Sequence, residues 1–168
     1  KYKMIEINDS GFFRIQALKD FGDVKAGDLG GIIENEQNLS QAGDCWIYKC
    51  SIVRDNAFVC DNAQVKDGAI VLDNAIVEKN AVIKGTASIS GFAIITDFAK
   101  VGGRARVAGG SRICDFAEIS GDCYIKGNAF VGGNAVVKDY AIIKGDTRIK
   151  GNAKVYYEQN VVYGTLDK

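Results

Sequence analysis

The sequence predicts an all-β solenoid, a prism of stacked triangular coils, and three observations carry that prediction. From Gly43 the chain divides into twenty consecutive six-residue blocks, from GDCWIY to YEQNVV, with no slip of register. The fifth place of every block is Val or Ile, from Ile47 to Val161. The third place is Ala, Cys, Ser or Thr until Gln159 ends the pattern. A short fixed period decides architecture before any propensity argument, because each repeat must stack on its neighbours to bury a core.

Each block reads as a short strand and a corner. Side chains alternate along a strand, so places three and five face one side while four and six face the other. Gly or Asp, often followed by Asn, recurs every six residues, and Asn and Gly tolerate the left-handed backbone of a tight corner. Three blocks close one triangular coil, so residues 18 apart lie one above another. Coils stacked at about 4.8 Å give between six and seven coils, roughly 30 Å of prism. The small third place fits near the corner, and the branched fifth place fills the interior. A 3.6-residue helical period would scatter these positions around a cylinder.

The ends lack the period. Residues 1–42 are expected to form a small β cap that shields the top of the core. In it FFRIQALKDF alternates partly like a strand, VKAGDLGG reads as a turn and IIENEQNLS leads into the first coil. AGDLGG lacks the lysine and the strand-to-helix setting of a phosphate loop, so a turn is the better reading. The β-helix is placed at residues 43–162 and a tail at 163–168. YGTLDK is too short for a capping helix, so either Tyr157, Tyr163 and Leu166 fold over the open end or another subunit covers it. A chain that starts at Lys1 is compatible with a piece of a longer protein.

The stretch DNAFVCDNAQVKDGAIVLDNAIV, residues 55–77, and the phrase [VI]-x-[GD]-N-A-x resemble the hexapeptide repeat of the bacterial transferase family. The resemblance covers residues 43–162 and implies a left-handed parallel β-helix, against the right hand that the general crossover rule favours. The run VKAGDLGGIIENEQNLSQAGDCWIY resembles the leader of hexapeptide-repeat proteins of bacteria and their prophages, some of them described as acyltransferases. It further implies a homotrimer with active sites between subunits. A fold of this kind hosts many functions, so activity has to be read from particular residues.

Composition bounds the chemistry. The 168 residues carry 21 basic and 21 acidic side chains, which offers no general attraction to nucleic acid. No apolar run approaches the roughly 18 residues that span a membrane, and KYKMIEIND lacks the apolar core of a signal peptide. The expectation is a cytoplasmic protein. Five cysteines without a CxxC pair point to reduced thiols, with neither a disulfide framework nor a zinc site. The chain has no histidine and no proline.

The missing histidine matters most. Acyltransferases of the resembling family use a histidine as general base, and the carbonic anhydrases built on this fold bind zinc through three of them. A carboxylate or tyrosine base would need a shifted pKa, and no isolated acid stands out. No catalytic residue and no metal site are therefore assigned. Asp55 over Asp73 and Asp97 over Asp115 are paired carboxylates that hard cations like, yet corner capping of backbone N–H groups explains them better. Lys79 falls between Asp61 and Asp97, and Arg104 stacks on Asp122 as a surface ion pair. Phe98 over Phe116 forms an aromatic ladder that either stiffens the solenoid or offers a platform. Cys45 and Cys123 are core fillers, while Cys60 and Cys114 point outward about 14 Å apart, too far for a disulfide. Thr86, Thr96, Thr147 and Thr165 do not align into the ladders of an ice-binding helix.

Outward places on two faces are apolar where water favours polar residues. One face carries Phe58, Ile76, Ile94 and Phe130, the other Ile52, Ile70, Tyr124 and Ile142. Such columns suit burial against another subunit or a protein partner. The remaining face, with Lys66, Lys84, Lys100 and Lys138, reads as solvated. The expectation is an oligomeric scaffold or binding module without a cofactor. The alternative is an acyl-CoA-dependent acyltransferase whose base, in a groove between subunits, is not histidine.

Overall fold

The computed structural model describes residues 1–156, 160–161 and 164–167. Three strands begin the chain: β1 (Tyr2–Glu6), β2 (Phe13–Ala17) and β3 (Leu29–Ile33). β1 and β2 pair antiparallel through a turn in which Asn8, Asp9 and Gly11 take positive φ, and β2 pairs antiparallel with β3. β3 then joins the solenoid, because Ile32 and Ile33 pair parallel with Ile52 and Val53. Thereafter a strand occupies places four and five of each block, from Trp46–Ile47 onward. The strands stack into three parallel sheets of about seven turns, one of which is extended by the antiparallel β1 and β2 to ten strands. We call the sheet through Ile52 the first face, the sheet through Phe58 the second and the sheet through Gln64 the third.

Pairing runs at 18-residue intervals through the body, as in Ile76 with Ile94 and Ile94 with Arg112. At the top the interval is 20, between Ile32 and Ile52 and between Leu39 and Val59. Parallel stacking thus starts about ten residues before the sequence period does. At the far end Arg148 pairs with Thr165, an interval of 17, and Leu166 is partly buried against the core. Tyr157 and Tyr163 lie outside the described residues.

The corner chemistry differs in detail from the sequence expectation. The left-handed residue is the first place of the block: Asp55, Asp61, Asp73, Asp97, Asp115 and Gly103 all have φ between 57° and 67°. Asn at the second place does not take that conformation. Its amide instead bonds the residue one coil on, Asn62 to Asn80 and Asn134 to Asn152 at 3.2 Å each. Asp is tolerated at the strained place because its carboxylate accepts the N–H of the first-place residue one coil on. Asp73 accepts from Gly91 at 2.8 Å and Asp115 from Gly133 at 2.7 Å. A charge-assisted bond offsets the cost of the left-handed conformation, which glycine avoids without a side chain.

Inside, third-place Ala and fifth-place Val or Ile are excluded from water, with Ile83, Ile95 and Ile125 at 0% exposure. At two polar third places the hydroxyl donor is satisfied locally. Ser111 Oγ and Thr147 Oγ1 each donate at 2.7 Å to the carbonyl three residues back. The top is closed by Trp46, packed edge-on against Tyr2 and Phe21. Asn38 is wholly buried and completes the first coil. Its Nδ2 donates to the Asp55 and Ala57 carbonyls at 3.0 and 2.9 Å, and its Oδ1 accepts from the Glu34 and Asn35 N–H groups.

The third place tolerates no bulk. Ala105→Leu is expected to destabilise the fold by about 1–3 kcal/mol through overpacking, while Arg106→Leu, on the exposed side, changes it by less than about 0.5 kcal/mol. Urea unfolding of the two variants separates these outcomes.

Candidate functional site

On this frame the outward fourth and sixth places present the side chains that carry no structural duty. Down the first face the fourth places read Ile52, Ile70, Ser88, Arg106, Tyr124 and Ile142. Down the second they read Phe58, Ile76, Ile94, Arg112, Phe130 and Arg148. Each apolar column is therefore interrupted, by Ser88 and Arg106 on one face and by Arg112 on the other. All eight apolar residues are half-buried by their column neighbours except Phe58, which is exposed.

The upper part of the first face is a groove. The β1–β2 turn overhangs it, and Ile7, Phe12, Ile32, Ile52, Ile70 and Leu72 enclose about 490 Å³. Arg54 is its only titratable lining group and lies 3.6 Å from Asp55, so the groove offers shape and apolar contact but no acid or base. Lower down, cations flank the aromatics. Arg148 and Lys150 lie 5.9 and 5.5 Å from the Phe130 ring centre, and Lys126 lies 5.1 Å from that of Tyr124. On the third face Lys84, Lys100 and Lys138 are exposed, and Lys66 sits over the Tyr48 ring.

The corner between the second and third faces holds the predicted Phe98–Phe116 stack and the Lys79 bridge. The Phe98 and Phe116 rings stack at 5.2 Å and 7° from parallel, interrupting the asparagine ladder. Beside them a cleft of about 480 Å³ is bordered by Lys100 and Glu118, paired at 3.3 Å. Lys79 bridges Asp61 and Asp97 as the column implied: its N–H bonds Asp61 and its ammonium lies 2.7 Å from Asp97. The hydrogen bond from Lys79 holds the Asp97 carboxyl below its ordinary range against a smaller desolvation effect. Arg104 grips Asp122 through two bonds of 2.6 and 2.7 Å, which lowers the Asp122 pKa and raises that of Arg104.

Two groupings escaped the sequence reading because they combine neighbouring coils with neighbouring places. Ligand atoms of Cys60, Asp61 and Glu78, and of Asp97, Cys114 and Asp115, lie within 4.8 Å of one another. Their chemistry is poor for a metal. Burial, aided by nearby carboxylates, pushes the Cys60 thiol up to about 12 and the Cys114 thiol up to about 11, so both stay protonated at neutral pH. Asp61, Asp97 and Asp115 already cap backbone N–H groups, and the Lys79 ammonium already neutralises Asp97. Cys114 occupies an outward place yet is buried, with Asp115 Oδ2 3.7 Å from its sulfur. Thr96, beside it in register, has the one buried side-chain oxygen without a partner among the described residues.

Groups that move protons are similarly committed. Burial raises the Tyr2 and Tyr48 hydroxyl pKa values, and Tyr48 donates to Asp23 at 2.5 Å. Cys45 and Cys123 are core thiols with pKa values raised by burial, that of Cys123 to about 11. No helix among the described residues is long and apolar enough to cross a membrane.

No protein-family profile matches the chain. A segment of 35 residues, 21% of the chain, is 54% identical to part of a protein of Escherichia coli (strain K12) named "Uncharacterized acetyltransferase YdcK". The matched segment spans 11% of that protein's length. The solenoid of about seven parallel turns and this partial likeness both fit a hexapeptide-repeat protein.

Two measurements test the electrostatics. The folded pKa of Asp97 lies below its unfolded value of 3.8, so its pairing stabilises the fold above that pH and fades as pH falls through the folded value. Lys79→Met is expected to raise the Asp97 midpoint in a carboxyl-carbon NMR titration; an unmoved midpoint would show that the ion pair does not form. Iodoacetamide at pH 7.5 is expected to label the exposed Cys50 first and to spare Cys60 and Cys114 until the chain unfolds. Rapid labelling of Cys60 in the native state would mean an activated thiol.

Proposed function

We propose that the chain is a rigid frame that works by binding, as a scaffold or binding module within an oligomer, without conventional acyl transfer and without a cofactor. One observation carries this reading: the chain has no histidine, and the acids and thiols gathered at its corners are tied to structural tasks. A general base needs a pKa near the working pH and a free lone pair facing substrate. The carboxylates of Asp55, Asp61, Asp73, Asp97 and Asp115 are turned toward backbone N–H groups, and the Cys60 and Cys114 thiols are held protonated. The apolar groove under the cap and the outward columns suit recognition of a protein surface, with other copies of the chain as first partners and a second protein as a further one.

A second reading is favoured by the likeness to an acetyltransferase-named protein. In it the chain contributes part of an acyl-CoA-dependent acyltransferase, and a carboxylate in a groove between subunits takes the role of base. Titration calorimetry with acetyl-CoA separates the two. The binding-frame reading expects no saturable heat; saturable binding followed by acetyl transfer to an amine or hydroxyl acceptor would reject it.

A further inference from the structure

Charge is balanced over the chain and unbalanced along the solenoid axis. Residues 1–99 carry ten basic and fourteen acidic side chains, whereas residues 100–156 carry ten basic and five acidic. Coils stack in chain order, so the cap end is acidic and the far end basic. The contrast is sharpest around the second face. Asp55, Asp73 and Glu78 surround its upper half, with Asp55 and Asp73 on the corner shared with the first face. Arg112, Arg148 and Lys150 lie on its lower half, and Lys126 and Lys144 follow the same corner. Phe92, at that corner and at mid-height, is 68% exposed, the most exposed large apolar side chain among the described residues. One coil below it stands Gly110.

We propose that two copies pair through their second faces with solenoid axes antiparallel, about a two-fold axis crossing the face between strands Ile94–Ile95 and Arg112–Ile113. Such an axis sets Phe58 opposite Arg148, Ile76 opposite Phe130 and Ile94 opposite Arg112, each contact occurring twice. Isoleucine then packs on phenylalanine, a guanidinium meets the exposed Phe58 ring, and the Arg112 stem lies on Ile94. Along the corner Asp73 comes level with Lys126 and Phe92 with Gly110, where no side chain fills the space, while Asp55 keeps its own Arg54 at 3.6 Å. Glu78 comes opposite Gly132, one coil from Lys150.

The arrangement follows from charge and from access. Subunits side by side with parallel axes would set one basic half against another, and like charges facing each other oppose association. On the first face the overhanging β1–β2 turn prevents a second flat sheet from lying along its length. In this pairing Lys126 and Lys150 of the lower half complement Asp73 and Glu78 of the upper half.

The pairing rests on the reading of the chain as an oligomeric binding frame and names its partner. Sedimentation equilibrium at micromolar concentration is expected to give a dimer. Lys126→Glu should weaken dimerisation about tenfold or more, since the contact occurs twice, and adding Asp73→Lys should restore it to within about threefold. Asp73 also caps Gly91, so a second exchange, Glu78→Lys with Lys150→Glu, repeats the test where no cap is involved. A dimer or trimer indifferent to both exchanges overturns this pairing and leaves the oligomeric frame standing. A monomer overturns both.

Discussion

The structure depends on one recurrent constraint: every sixth residue must turn a corner in the left-handed backbone conformation so that each coil can hydrogen-bond to the next. Ladder bonds such as Ile76 N–H to the Ala93 carbonyl at 2.9 Å exist only if successive coils superpose. A first-place side chain points at the backbone of the adjacent coil. At Gly103, for example, an added Cβ would lie 2.7 Å from Gly121 backbone atoms. Glycine evades that crowding, and aspartate turns it into a bond. The residue types of the repeat follow from this geometry, including the small third place beneath the corner and the branched fifth place that fills the space between three sheets.

The same constraint explains why chemistry is scarce on this chain. Places one, three and five are used by the frame, and first-place acids such as Asp61, Asp73 and Asp115 accept backbone N–H groups. An aspartate that accepts two bonds, as Asp97 does from Lys79 and from the Asp115 N–H, is held in its charged form and is a weak proton acceptor. Places four and six, with the exposed side chains of place two, vary without disturbing the stack. They hold cations beside aromatic rings and interrupted apolar columns, the features on which the proposed association draws.

Most of the fold is legible in the sequence, because a period of six with fixed classes at two places admits few structures. Register, column partners, the Arg104–Asp122 pair and the Phe98–Phe116 stack all follow from adding 18. What the sequence hides depends on departures from that rule. The 20-residue first coil and the buried Asn38 that completes it leave no periodic trace, since one side chain there replaces the backbone bonds of a regular coil. The assignment of the left-handed place to Asp, with Asn left to build side-chain ladders, needs the backbone angles. Asp61 with Glu78, and Asp97 with Cys114, become neighbours across a diagonal that a column search overlooks. The outward fourth places of both faces align in columns at intervals of 18, whereas the interruption of their apolar residues by Arg106 and Arg112 gains meaning only when charge is followed along the axis.

A frame that presents its free places to a second copy makes a geometric claim that zero-length carbodiimide coupling tests directly. Asp73 and Lys126 are three coils apart within one chain, about 14 Å, beyond the reach of such a bond. In a mixture of light and heavy-isotope protein, mass spectrometry should find Asp73 joined to Lys126 as light–heavy pairs. Light–heavy couplings found only between residues within about one coil of each other, such as Lys126 with Asp146 or Asp115, would contradict the account.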